Sequence, residues 1–307
     1  MSAESTVPFT LEQLWTYPIK SCGGVRLQSA ELLETGLEWD RAWMVVDESG
    51  EFVSQRELPR MALISTRFRM GQLEVKAPGM LSLHLALDSA EAPMKVRVWD
   101  DEVEAYDMGG IAAQWFSDFL GSDAPESMRR LRLVRFDPEA KRLSAPQWTG
   151  GVEATTQFSD GFALLALSSA SLADFNQRLQ VLGHAPVGVE RFRPNLVLGG
   201  IEAHDEDRFD TLTLKAHLRD APASATELAE EPAVQIQLVK PCSRCSIPDI
   251  DPATAASQPA VSRLLQTYRQ DRRLMGAITF GMNGIVLGGA GQMLREGMSG
   301  EARWGAW

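Results

Sequence analysis

At 307 residues, 44% hydrophobic and 23% charged, the chain has the make-up of one large or two medium globular domains, which excludes disordered, collagen-like and low-complexity readings. A net charge of −11, from 30 basic against 41 acidic residues, argues against nucleic acid as a partner, since a polyanion requires a dominating basic face. The longest mostly apolar stretch, Gly161 to Ala173, is too short to span a membrane, and the opening residues lack the basic and apolar regions of an export signal, so no membrane association is expected.

Taken in order, the first hundred residues read as short strands. Ala42 to Val46, the turn Asp47-Glu48-Ser49-Gly50 and Glu51 to Ser54 predict a hairpin, because Asp and Gly supply the turn between β-favouring runs. Leu63 to Arg69, Met70-Gly71 and Gln72 to Lys76 predict a second. Alternating apolar and polar residues over Leu81 to Leu85 and around Val96-Arg97-Val98 predict half-buried strands. Gly110 to Leu120 carries Ile111, Trp115, Phe116, Phe119 and Leu120 at helical spacing, with Gly121 as a stop. The basic run Arg129, Arg130, Arg132 and Arg135 reads as the solvated side of a strand that buries Leu131, Leu133 and Phe136. A helix capped by Ser169 or Ser171 runs through Leu172, Phe175 and Leu179, and another spans Val261 to Tyr268. Arg193 to Leu198, Thr211 to Lys215 and Val234 to Leu238 read as strands, with Asp220 to Ala233 a polar insertion. Strands outnumber helices and do not alternate with them, so the expected class is α+β, mostly β, with a barrel and a few peripheral helices. We place the division at 1–125 and 126–307.

Three cysteines cannot build a disulfide framework and suit a reducing compartment, so a cytoplasmic location is expected. Cys242-Ser243-Arg244-Cys245 has the spacing of half a zinc site, but only Cys22 and four histidines without close spacing remain, too few for a tetrahedral set. A thioredoxin-type motif opens a helix, whereas Pro248 and two aspartates here predict a loop. The plain reading is two cysteines packed as small hydrophobes. Arg244 between them points the other way, since a nearby cation favours the metal-binding thiolate. Polar clusters also punctuate the strand ends: Tyr17 to Cys22, Asp40 to Trp43, and Phe192 to Asn195. Each alone reads as a solvated edge charge. Gathered in one cavity, their cations, Ser and Asn would suit a phosphate-bearing heteroaromatic ligand. The glycines between Gly281 and Gly291 lack the Lys-Ser/Thr ending of a nucleotide loop.

In this order, Tyr17-Pro18-Ile19-Lys20-Ser21-Cys22, Asp40-Arg41-Ala42-Trp43, Phe158-Ser159-Asp160, Ser169-Ala170-Ser171-Leu172, Phe192-Arg193-Pro194-Asn195, Cys242 to Cys245 with Asp251-Pro252, and Phe280-Gly281-Met282-Asn283 resemble the MOSC family, in the branch of the amidoxime-reducing components. The resemblance implies an N-terminal MOSC-type β domain preceding a MOSC β-barrel, with a molybdenum cofactor (molybdenum-molybdopterin) held between them. It implies that Cys245 is the protein ligand to molybdenum, and a thiolate is a soft ligand suited to that metal. Cys242 would either support the metal-binding residue from behind or be structural. Lys20, Ser21, Arg41, Arg193, Ser243 and Arg244 match cofactor-contacting positions, as do, less closely, Asp160, Gly161, Phe162, Asn195 and Asn283. The implied activity is reductive removal of oxygen from small N-hydroxylated compounds: amidoximes, N-hydroxylated bases and hydroxylamine. Electrons would come from a separate ferredoxin, flavoprotein reductase or cytochrome-type partner, because three cysteines cannot hold a plant-type iron–sulfur cluster. Asp249 and Asp251 are candidate proton donors. The family's Asp-Pro-x-Thr-Gly ends here in Ala255, where alanine resists a left-handed turn. The other reading of the same cysteine is a cofactor or sulfur carrier without turnover.

Overall fold

The computed structural model describes residues 5–89, 91–215 and 233–305. The polar insertion expected over Asp220 to Ala233 therefore lies outside the described residues, except for Ala233, which opens a strand. The chain builds β1 (Thr6–Thr16), β2 (Trp43–Asp47), β3 (Pro93–Val98), β4 (Asp101–Asp107), α1 (Gly109–Leu120) and β5 (Leu131–Phe136). Then follow β6 (Leu164–Ser168), α2 (Ser169–Val181), β7 (Leu196–Gly199), β8 (Phe209–Lys215), β9 (Ala233–Ser243), α3 (Ala260–Tyr268), β10 (Ala277–Gly288) and β11 (Ser299–Trp304). The class is mostly β, as the sequence predicts.

Seven strands form a closed barrel in the order β6-β7-β1-β11-β8-β9-β10, because β10 pairs back onto β6. Only the β6–β7 pair is parallel, joined by α2 as a crossover. Parallel strands covered on both faces need apolar residues throughout. Leu164–Ser168 and Leu196–Gly199 are accordingly buried at every position. Ser168, one residue before the expected caps, ends β6 and caps α2: its hydroxyl accepts from the Ser171 N–H at 2.9 Å. Outside the barrel Phe175, Phe192 and Phe280 pack with ring centroids 4.6–5.7 Å apart, joining α2 to β10. Phe9, Leu11 and Leu14 of β1 share a core with Leu212, Ile236 and Met282, so the first strand is built into the barrel.

The second body is a half-barrel of β2-β5-β4-β3, backed by α1 and by a meander of Ser65–Arg69, Gln72–Lys76 and Leu83–Ala86. Both predicted hairpins form. The Asp47 carboxylate accepts from the Ser49 and Glu51 N–H groups, and Met70 and Gly71 take φ of 49° and 72°, as a two-residue hairpin turn requires. Helix α1 buries Trp115, Phe116, Phe119 and Leu120, while Ile111, read as core, faces outward and is 80% exposed.

Candidate functional site

Between the two bodies lies a cavity of about 440 Å³. Its lining includes all twelve residues that the family resemblance matched to cofactor or metal: Lys20, Ser21, Arg41, Asp160, Gly161, Phe162, Arg193, Asn195, Ser243, Arg244, Cys245 and Asn283. Convergence, which linear spacing cannot express, is thus present.

The buried end is built from three strand-end segments. Arg41 and Trp43 N–H groups donate to the Tyr17 and Pro18 carbonyls, and Lys20 N–H to the Trp43 carbonyl, locking residues 17–20 against 41–43. Asn195, fully buried, ties in the third. Its side-chain oxygen accepts from the Leu165 N–H (3.1 Å) and from Arg41 Nη1 (3.2 Å), while its Nδ2 donates to the Trp15 carbonyl (3.1 Å). Its amide therefore positions the cavity wall. Arg41 also pairs with Asp40 and donates to the Arg193 carbonyl, and the guanidiniums of Arg41 and Arg193 both lie over the Tyr17 ring, 4.5 and 4.2 Å from its centroid. Ser21, Arg41 and Arg193 all adopt left-handed φ (66°, 51° and 57°), a conformation that costs non-glycine residues and gathers at ligand sites.

Arg193 Nη1 donates to the Cys22 carbonyl at 2.6 Å, while Nη2 is buried without a partner among the described residues. Burial, then the neighbouring Arg41 charge, brings the Arg193 guanidinium down to about 10, so it stays charged at neutral pH. A buried donor on a cation calls for an anionic acceptor. The wider lining agrees. Lys20, Arg41, Arg56, Arg191, Arg193, Lys240 and Arg244 face Asp160 alone among carboxylates, in a protein whose overall charge is −11.

Lys20, 7% exposed at its side chain, donates to the Phe158 carbonyl (2.8 Å) and to Asp160 (2.6 Å). Burial draws the Lys20 ammonium below its ordinary value, with Asp160 opposing. Desolvation pushes the Asp160 carboxyl up, but Lys20 and the Trp99 indole N–H outweigh it and hold the group well below the usual carboxylate range. A carboxyl depressed in the folded state adds stability that is complete above its ordinary value and lost as pH falls through the lowered one. Across roughly pH 5 to 2, unfolding midpoints of the wild type should therefore fall more steeply than those of Asp160→Asn; parallel curves would show the pair to be energetically silent.

At the open end, β9 runs to Ser243, further than the sequence reading, so Cys242 is the last residue but one of the strand and Cys245 sits just beyond it. Cys245 is exposed, and its sulfur accepts from the Ile247 N–H at 3.5 Å. Burial raises the Cys242 thiol, against the lowering influence of Arg244. Arg244, expected to contact a ligand, has its guanidinium on the Phe192 and Phe280 carbonyls, where it clamps β10 to the 192–195 segment. Asn283, on β10, lines the cavity. Cys22 packs in the half-barrel core as a small hydrophobe, its thiol pushed up to about 12 by burial.

Asp249 and Asp251 do not line the cavity. Asp249 accepts from the Ser262 N–H and hydroxyl at the start of α3, and Asp251 pairs with Arg191 and caps its own turn. Both hold the loop's shape, which corrects their reading as proton donors. Arg191 also donates to the Pro248 and Asp249 carbonyls and to Gln258, pinning the loop that carries Cys245. The turn after it keeps its left-handed form despite the alanine: Ala255 has φ 60°, and its N–H donates to the Asp251 carbonyl at 2.7 Å. Ala255→Gly should raise stability by roughly 1 kcal/mol in denaturant unfolding, an effect that no change in midpoint would refute.

Phe52, Arg56, Trp99, Arg191 and Lys240 line the cavity without having been singled out from the sequence. Trp99 carries the one available signal, a bulky residue between two strands at a turn.

The chain matches the MOSC N-terminal beta barrel domain over residues 8–123 and the MOSC domain over residues 153–298. It is 33% identical to mitochondrial amidoxime-reducing component 1 of Homo sapiens over 280 residues, 87% of this chain and 75% of the human protein. It is also 33% identical to mitochondrial amidoxime reducing component 2 of Bos taurus over 253 residues, 80% and 67% of the two chains. The solution structure of a Bordetella bronchiseptica protein, 27% identical, aligns over 43% of this chain and 95% of its own with a TM-score of 0.33.

Proposed function

The chain belongs to the MOSC family, in the branch of the mitochondrial amidoxime-reducing components, and we propose that it is a molybdenum-cofactor-dependent reductase of small N-hydroxylated compounds. The observation that carries the reading is one cavity holding an exposed thiol, Cys245, at its open end and an unpartnered buried guanidinium nitrogen, Arg193 Nη2, at the other. That donor set fits a metal-bearing pterin with an anionic tail. A soft thiolate suits a metal that brings its own sulfur ligands, and among the described residues no cluster of three His, Cys, Asp or Glu side chains offers a protein-only metal site. Arg193, with Arg41 and Ser21, would hold the phosphate end; Asn283, Ser243 and the open backbone at Gly161 would meet the pterin; Cys245 would bind molybdenum. When bound, the cofactor supplies two-electron chemistry and a site for the departing oxygen.

The protein's own groups bind, orient and protonate. The Ile247 N–H fixes the Cys245 sulfur, and Arg191 and Arg244 immobilise the segments on either side of it. Lys20 Nζ is the cavity's buried ammonium and can give a proton to the oxygen that leaves as water, Asp160 keeping it charged until then. Electrons come from a separate donor protein.

The test is molybdenum and pterin content of protein made in a cofactor-producing host, with reduction of N-hydroxybenzamidine by a chemical reductant. Near-stoichiometric metal with turnover is expected. Metal without turnover on any N-hydroxylated compound would leave a cofactor carrier, and no metal after reconstitution would remove the reading altogether.

A further inference from the structure

Residues 93–107 form a hairpin in which Val98 pairs with Asp101, leaving Trp99 and Asp100 as its two-residue turn. Such a turn favours glycine or asparagine where φ is positive, yet Trp99 sits there with φ 57°. A large aromatic at a left-handed position is retained against local preference, so something other than the turn accounts for it. The ring is not there for the core: Trp99 is 42% exposed, and it lines the cavity. Three neighbours fix its plane. The indole N–H donates to Asp160 at 3.2 Å, Phe52 meets it edge to face at 5.0 Å, and the Arg56 guanidinium lies 4.6 Å from its centroid. Trp99, Asp160 and Cys245 are all exposed residues of the open end, whereas Ser21 and Asn195, at the other end, are at most 5% exposed, and Lys20 reaches from the buried wall to Asp160, 2.6 Å away.

We propose that Trp99, backed by Phe52 and Arg56, is the specificity-determining wall of the substrate site and selects planar, delocalised N-hydroxylated molecules over small ones such as hydroxylamine. The inference rests on the reductase reading. Its physical basis is stacking: a flat π-system gains contact with a ring already held rigid, while hydroxylamine is too small to cover it. Apolar lining from Phe52, Phe162 and Leu165 supports a ring-sized occupant over an ion.

The holoenzyme is compared with Trp99→Gly and Trp99→Phe, using N-hydroxybenzamidine and hydroxylamine as substrates. Because glycine relaxes the turn, Trp99→Gly should melt no lower than wild type. Its ratio of kcat/KM for N-hydroxybenzamidine to that for hydroxylamine should fall about tenfold, and Trp99→Phe should recover most of the loss. An unchanged ratio overturns the proposal, as does a fall in pterin content in Trp99→Gly, which would assign the ring to the cofactor. If neither compound is reduced, the reductase reading fails and binding decides the wall by itself. Saturable quenching of tryptophan fluorescence by N-hydroxybenzamidine that disappears in Trp99→Phe would uphold it, and the absence of quenching would end it.

Discussion

Cys245→Ala should yield a folded protein without bound molybdenum and with activity at background, while Cys242→Ala retains metal and most turnover. The two cysteines are three residues apart, but the fold gives them different lives. Cys245 stands exposed just beyond β9, its sulfur fixed by the Ile247 N–H and open to the cavity. Cys242 is partly buried at the end of the strand, and burial keeps its thiol protonated to higher pH, which disfavours the thiolate that a metal needs. Removal of an exposed sulfur leaves no cavity, so stability should be nearly unaffected. Elemental analysis beside unfolding curves separates the two effects. Metal kept by Cys245→Ala and lost by Cys242→Ala would reverse the ligand assignment.

Arg193→Met should lose most of its pterin on dialysis while the fold survives. Methionine keeps an unbranched stem over the Tyr17 ring but removes the charge and the unpartnered Nη2. A charge-assisted hydrogen bond to an anionic group contributes roughly 1.5–3 kcal/mol, so retention should weaken by about ten- to a hundredfold. The cofactor-free variant should suffer much less, because the guanidinium is already drawn down by burial and by Arg41 beside it. Pterin content equal to wild type would refute a cofactor role for Arg193.

The parts of the fold governed by local rules were legible. Asp47 and Gly71 marked turns, and the periodicity of Trp115, Phe116 and Phe119 marked α1. Barrel closure was not, because β6 meets β10 across more than a hundred residues and no local pattern encodes that pairing. At the site, residue types at strand ends identified the right segments, yet not what each side chain does. Asn195 and Arg244 look like ligand contacts in sequence, whereas in the fold their polar groups hold neighbouring segments in place. Arg191 and Lys240 escaped notice because a charged residue near a strand is ordinarily solvated, and only tertiary packing turns these two inward. Asp249 and Asp251 misled for the converse reason: proximity to Cys245 along the chain placed them on the loop's supporting side.

Strand β1 pairs with β11, and the barrel cannot close until residues near 300 have met residues near 8. During synthesis the half-barrel, whose strands all fall between residues 43 and 136, can condense long before that, so it should reach its final form first and wait. The wall carrying Cys245 is complete only after the last barrel strand has emerged and paired with β1, so acquisition of any ligand of this cavity must wait until residues 299–304 are in place.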